Sequence, residues 1–310
     1  MGMSITSSRL AFGTMQFGGR ADAAQSAAMF DACLDAGVTH FDTACGYNGG
    51  ASETILGQLA ARVRARVYIA TKLGYVGGAG RENLSLQMDA SRKRLGLDCV
   101  DLLYLHRYDP RTPLVETLET FAQFQARGWV RHIGLSNFPA WAVVKAQGIA
   151  RSLGTRIDAI QPMYSLIKRQ AEVELLPMAA DLGLAVFAYS PLGAGLLTGK
   201  YSAGGEEAIV QGRLAEDARY AQRYSDPSGH RAAIALAGIA QALGTHPATL
   251  AVAWAMAHPS APCPIISGRN AAQLAPALAA MAAPLPPDLY RALSALMPPP
   301  PSATDRSEEA

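Results

Sequence analysis

The sequence predicts a closed barrel of eight parallel β-strands wrapped by helices. Short apolar strands alternate with stretches of helical periodicity along most of the chain. Strands such as VYIAT (67–71) and LAVFAY (184–189) are apolar throughout, the pattern of parallel strands buried on both faces. Polar residues recur at or just past the strand ends: Asp42, Lys72, His106, Asn137, Gln161, Ser190 and Arg269. A doubly wound open sheet shares the βα rhythm but would scatter these residues. A closed barrel points every strand's C-terminal end to one mouth.

The first strand is RLAFG (9–13), followed by the loop TMQFGGR and a helix over 21–36 whose apolar positions Ala24, Ala27, Ala28, Cys33 and Leu34 suit one face. VTHFDT (38–43) is the second strand. A Gly-rich turn leads from it to a helix over 52–61, with Ser52 as the expected cap. VYIATK (67–72) precedes a helix over 84–95 that Gly96 stops, and VDLLYLH (100–106) precedes a helix over 113–126. A strand over 130–135 leads to a helix over 139–153, opened by Pro139 at a first-turn position. Strands over 158–162 and 184–189 flank a helix over 172–182. Helices over 231–243 and 248–257 precede a last strand at Ile265 and Ile266.

Two stretches stand outside this rhythm. Residues 201–230 form a long polar connection without clear periodicity, of a length expected of a functional lid. Residues 298–310 (PPPPSATDRSEEA) have the composition of a disordered tail, so a single domain is expected over 1–297. The chain of 310 residues is long for one domain but within the range of such barrels. With 50% hydrophobic and 17% charged residues it is able to bury a large core.

A net charge of +2, without a basic cluster, argues against nucleic acid as a partner. Cys33, Cys45, Cys99 and Cys263 show no CxxC, and His40, His132, His230, His246 and His258 show no paired-ligand spacing; neither a metal nor a disulfide framework is expected. The histidines read as surface or packing residues. The start MGMSITSSRLAFG lacks the basic segment and apolar core of a signal peptide, and no apolar run approaches a membrane span. The expectation is a soluble, cytoplasmic protein.

The chemistry converges on four residues. Asp42, Lys72 and His106 close three successive strands, and Tyr47 follows in the turn after Asp42. A phenol donates a proton reluctantly near neutrality, because its unperturbed pKa is about 10. Lys72 would lower that pKa, and Asp42 would hold the ammonium in place. His106 would orient a carbonyl or relay a proton. Such a set suits carbonyl reduction if hydride comes from elsewhere. The competing structural reading is that Asp42 caps its turn and Tyr47 is an ordinary loop aromatic.

GAGLLTGKY (193–201) is not a phosphate-binding P-loop: Ala194 stands where its first Gly is needed, and Tyr201 follows Lys200 in place of Ser or Thr. No Gly-x-Gly-x-x-Gly opens a βαβ unit. Phe17 and Tyr75, just beyond the first and third strands, are candidates for an apolar substrate wall, whereas Trp129, Trp141 and Trp254 read as core. Cys45 reads as an inert thiol.

Taken together, FDTACGYNGGASETILG (41–57), ATK (70–72), YLHR (104–107), GLSNF (134–138), QPMYS (161–165), AYSPLGAGLLTGKY (188–201) and SGRNAAQL (267–274) resemble the aldo-keto reductases, in that family's order and over nearly the whole chain. The resemblance implies a (β/α)8 TIM barrel, NADP(H) bound without a Rossmann domain, and a catalytic tetrad at Asp42, Tyr47, Lys72 and His106. It places the nicotinamide carboxamide on Ser136, Asn137 and Gln161, with Tyr189 stacked on the ring. Further cofactor contacts fall on Gly13, Thr14, Met15 and Asp42, on Ser190, Pro191, Leu192, Gly193, Gly195 and Leu196, and on Ser267, Gly268, Arg269 and Gln273. Taken singly, Ser136 and Asn137 also suit a helix cap, Gln161 a buried backbone partner and Tyr189 the core.

Pro276 and Ala277 stand where the family often has an acidic residue and an Asn contacting adenine. Arg269 is therefore expected to carry a large share of recognition there, as the grip on the 2′-phosphate. Two other functions remain open on the sequence: a Schiff-base barrel lyase using Lys72, and a cofactor-binding sensor or regulatory subunit with little turnover.

Overall fold

The computed structural model describes residues 5, 8–201 and 212–304. Its strands are β1 (Ala11–Gly13), β2 (His40–Asp42), β3 (Tyr68–Leu73), β4 (Val100–Leu105), β5 (Val130–Ser136), β6 (Ala159–Gln161), β7 (Ala185–Tyr189) and β8 (Cys263–Ile266). All pair in parallel with their sequence neighbours, and β1 also pairs with β8 through Ala11 opposite Ile265 and Phe12 opposite Ile266. The sheet is therefore closed, and the chain folds as a single-domain (β/α)8 TIM barrel.

The helices are α1 (Ala23–Asp35), α2 (Ala51–Ala61), α3 (Arg81–Leu95), α4 (Leu114–Ala126), α5 (Ala140–Ser152), α6 (Leu175–Leu182), α7 (Arg213–Glu216), α8 (Ala218–Arg223), α9 (Pro227–Ala242), α10 (Pro247–Met256), α11 (Ala271–Leu278) and α12 (Pro287–Ser294). Among the described residues no helix is long and apolar enough to cross a membrane.

Two cores explain why the strands do not alternate. Ala11, Ala70, Leu102, Tyr104, Ala159, Phe187 and Ile265 pack together inside the barrel. The intervening positions, among them Phe12, Phe41, Ile69, Leu103, Ile133, Ile160, Val186 and Ile266, join the larger core shared with the helices. Tyr104 needs room on β5, and Gly134 supplies it: a Cβ there would lie 2.4 Å from the Tyr104 ring. His40 is fully buried, its ring 4.4 Å from that of Phe187 and 5.0 Å from that of Tyr68, so it is a packing residue.

Several local expectations are corrected. α2 starts at Ala51 after Gly50, whose φ of 97° suits glycine, and Ser52 is not its cap. The Ser52 hydroxyl is instead buried, donating to the Thr14 carbonyl and sharing hydrogen bonds with the Thr14 and Thr43 hydroxyls. Pro139 sits at the cap position, one residue before the first turn. Residues 202–211 of the long connection lie outside the described residues. Beyond them stand α7 and α8, and α9 begins at Pro227, earlier than periodicity alone places it, because Asp226 caps it by accepting from Ser228 N at 2.9 Å.

Trp141 is 59% exposed rather than core, and Phe17 is fully buried against Phe12 rather than a substrate wall. In the C-terminal stretch, 298–304 carry no helix or strand and 305–310 lie outside the described residues.

Candidate active site

The C-terminal ends of the strands surround one cavity of about 1470 Å³. Asp42, Tyr47, His106, Ser136, Asn137, Gln161, Tyr189 and Ser190 line it, with Gly13, Met15, Pro191, Leu192, Gly195, Ser267, Gly268, Arg269 and Gln273. Strand parity explains much of this convergence. Lys72, Gln161 and Tyr189 lie two residues past the inward-facing Ala70, Ala159 and Phe187, and so face inward at the mouth. Thr14, Lys72, Gly193 and Leu196 stand behind the lining. Thr14 is fully buried, its hydroxyl on the Asp42 carbonyl at 3.1 Å, and Gly193 and Leu196 are buried in the turn after β7. Of the two proposed wall residues, Tyr75 lines the cavity and Phe17 does not.

Lys72 is 1% exposed. Its ammonium pairs with the Asp42 carboxylate, donates to the Thr43 carbonyl at 2.8 Å and lies 5.2 Å from the centre of the Tyr47 ring. The other carboxylate oxygen of Asp42 accepts from Gln161 Nε2 at 2.8 Å. The His106 ring meets Tyr47 edge-on at 5.9 Å and Tyr75 at 4.9 Å. Carboxylate, lysine, phenol and imidazole thus follow one another in a chain of contacts from Asp42 through Lys72 and Tyr47 to His106.

Burial dominates the electrostatics of this group. It raises the Asp42 carboxyl above the usual aspartate value, against the pull of Lys72 and Gln161. It works against the Lys72 ammonium too, but Asp42 and Tyr47 more than offset it, and the lysine lies above its ordinary value. The Tyr47 phenol is pushed up by burial although Lys72 pulls it down. The expected lowering by Lys72 therefore exists, and burial outweighs it. His106 is lowered to about 3 by burial, then by Lys72 and Arg107, so its imidazole is neutral near pH 7.

Just past β5, beside β4, Asn137 donates to the His106 carbonyl at 2.9 Å and to Ser136 Oγ at 3.1 Å, and accepts from the Tyr189 hydroxyl at 2.7 Å. Asn137 (φ 57°), Ser190 (φ 60°) and Ala194 (φ 56°) are left-handed residues other than glycine at this mouth, a form of strain that collects at functional sites.

Arg269 departs most from expectation. It precedes Asn270, which caps α11, so it lies outside the helix. Its anion is already in the chain: Glu216 of α7 stands 3.5 Å away and also pairs with Arg20. Arg20 and Glu216 were not singled out by the sequence, although Arg20 lies in the loop after β1, where barrel sites are built, and Lys200 was weighed only as a P-loop lysine and set aside. Arg20, Lys200 and Arg269 line one end of the cavity, a donor set suited to phosphates. Gly195 is part of the same wall, and a Cβ on it would lie 2.8 Å from Lys200 Nζ.

The fold and this mouth define a (β/α)8-barrel oxidoreductase. The chain belongs to the aldo/keto reductase family, whose model matches residues 9–297. It is 35% identical over 317 residues to an uncharacterized oxidoreductase, YrpG, of Bacillus subtilis (strain 168), covering 94% of this chain and 93% of that one. It is 43% identical over 195 residues to aflatoxin B1 aldehyde reductase member 4 of Homo sapiens, a match that spans 61% of this chain and 59% of the human protein. A probable voltage-gated potassium channel subunit beta of Arabidopsis thaliana is 31% identical over 291 residues, 86% of this chain and 85% of its own.

Proposed function

We propose that the protein reduces an aldehyde or ketone to the alcohol with NADP(H), or runs the reverse reaction, with Tyr47 as the general acid. The observation that carries this reading is the buried Lys72–Asp42 pair set against Tyr47 at the wall of the cavity. A bound nicotinamide supplies the hydride. The protein's part is to hold a carbonyl oxygen between the Tyr47 hydroxyl and the neutral His106 ring and to deliver a proton as negative charge develops. Lys72 stabilises the phenolate left behind, and Asp42 keeps the ammonium charged and aimed.

Ser136, Asn137 and Gln161 are assigned to the carboxamide and Tyr189 to the nicotinamide face. Arg20, Lys200 and Arg269 are assigned to the phosphates, with α7 as a strap across that end through Glu216. A Schiff-base role for Lys72 is disfavoured: nucleophilic lysines are activated by a depressed pKa, whereas Lys72 is raised, buried and held by Asp42 and Thr43. A panel of aldehydes, ketones, sugars and alcohols, assayed with NADPH, NADH and their oxidised forms, tests the proposal. Reduction of carbonyls with NADPH favoured is the expected result. Tight cofactor binding with negligible turnover across the panel would point instead to a sensor subunit.

A further inference from the structure

The turn carrying Tyr47 has little regular structure of its own. Residues 47–50 form a short 3-10 turn in which Asn48 (φ 50°), Gly49 (φ 64°) and Gly50 (φ 97°) are all left-handed. On one side Asn48 fastens it to the loop after β1, donating to the Met15 carbonyl at 2.9 Å and the Phe17 carbonyl at 2.7 Å. On the other side stands an ion pair that the reaction scheme does not use. Glu53, in the first turn of α2, is fully buried and pairs with Arg94 of α3 at 2.7 Å.

Both ends of this pair reach the reacting groups. Glu53 accepts from the Thr71 hydroxyl at 2.6 Å, and Thr71 is the chain neighbour of Lys72. Arg94 lies against Gly50, where a Cβ would come within 2.7 Å of its Cδ and Nε, and it donates to the Cys45 carbonyl at 3.4 Å. Contacts thus run without a break from β3 beside Lys72, through Glu53 and Arg94, to both flanks of Tyr47. A buried pair is weak evidence for stability, since its desolvation cost rivals its attraction. Its use here is geometric.

We infer that Glu53 and Arg94 are positioning residues, which fix the Tyr47 turn relative to Lys72 and so set the approach of the proton donor to its cation. The inference rests on the assignment of Tyr47 as general acid. A misplacement of about 1 Å can cost about 10²-fold in rate, and groups of this kind need support from neighbouring side chains.

The test is Arg94→Ala, with Arg94→Lys and Glu53→Gln as companions. Folding is checked by circular dichroism, cofactor affinity by fluorescence titration, and hydride transfer in single turnovers across pH. Arg94→Ala should slow hydride transfer by about 10²-fold while cofactor affinity stays near wild type. The Tyr47 limb of its pH profile should move upward, because Lys72 no longer draws the phenol down. The Arg94 side chain is 28% exposed and lines the cavity, so free guanidinium at a non-denaturing concentration should restore part of the rate, and Arg94→Lys should be intermediate. If Arg94→Ala fails to fold, Glu53→Gln carries the same readouts while keeping the bond from Thr71.

Folded variants with wild-type rates and pH profiles would overturn the inference. So would a slowdown with an unmoved pH limb and no guanidinium rescue, the signature of a merely structural pair. A Tyr47→Phe control separates the two levels. If that control keeps wild-type speed, the general-acid assignment fails; if it is inactive beside a fully active Arg94→Ala, the positioning inference fails alone.

Discussion

Gln161 Nε2 lies 2.8 Å from Asp42 Oδ2, on the side of the carboxylate away from Lys72. The bond commits one amide N–H of Gln161 to Asp42, and leaves the second N–H and the amide oxygen to meet a nicotinamide carboxamide in the proposed reaction. Gln161→Ala should lower stability by about 1.5–3 kcal/mol, the scale of a hydrogen bond to a charged group. Denaturant unfolding measures this, and an unchanged midpoint would show that Asp42 does not depend on the bond.

The pH profile follows from two displaced groups. With Tyr47 as the proposed acid, reduction requires a protonated phenol, and burial raises the Tyr47 pKa, so the rate should hold through neutrality and fall only at strongly basic pH. His106, lowered to about 3, should contribute no limb near pH 6.5. Lys72→Met should cut kcat by about 10²- to 10⁴-fold, the usual range for lost acid catalysis, and push the Tyr47 limb higher still. A limb near pH 6.5 that disappears in His106→Gln would contradict the neutral imidazole.

At the other end of the cavity the test concerns phosphate. Arg269→Ala should weaken NADPH binding by about 1.5–3 kcal/mol and scarcely alter NADH; equal losses would show that Arg269 does not read the 2′-phosphate. Glu216→Gln should change stability little, because solvent screens exposed ion pairs. It should instead raise hydrogen exchange in 213–223 and speed cofactor release. Cofactor should lower exchange across this segment in the wild type, and equal exchange with and without it would refute the strap.

How far the sequence disclosed this molecule depends on whether the signal is local. Strand ends were legible because Asp42, Lys72, His106 and Gln161 follow directly on apolar runs. Asp42, Lys72 and Gln161 face the mouth because period-two geometry carries strand-end residues inward, and Tyr47 joins them from the turn after β2. Ser52 misled because a serine before an apolar run reads as a cap, whereas Gly50 turns the chain first and draws the hydroxyl into the core. Trp141 and Phe17 exchanged their expected places because large aromatics carry no label for the face they occupy. The pairing of Glu216 of α7 with Arg20 and Arg269 joins three stretches far apart in the chain, and no spacing along it announces the contact.

Asp109 gives a test of stability at low pH. Burial opposes its charge, but hydrogen bonds from Ala79 N, Arg111 N and Thr112 Oγ1, with the Arg111 charge, hold its pKa at about 2. A carboxyl lowered on folding stabilises the native state above its unfolded pKa of about 3.9 and loses that contribution as pH falls through the folded value. Asp109→Asn should therefore cost about 1–2 kcal/mol at pH 7, with the difference from wild type shrinking between about pH 4 and pH 2. A constant difference over that window would show that the charge of Asp109 is not what holds the loop.

Single-turnover hydride transfer from bound NADPH in Tyr47→Phe tests whether Tyr47 gives the proton. The ring and its packing against His106 remain, so cofactor affinity should be nearly unchanged while the rate falls by about 10²- to 10⁴-fold. Transfer at wild-type speed in the phenylalanine variant would show that the proton comes from another group.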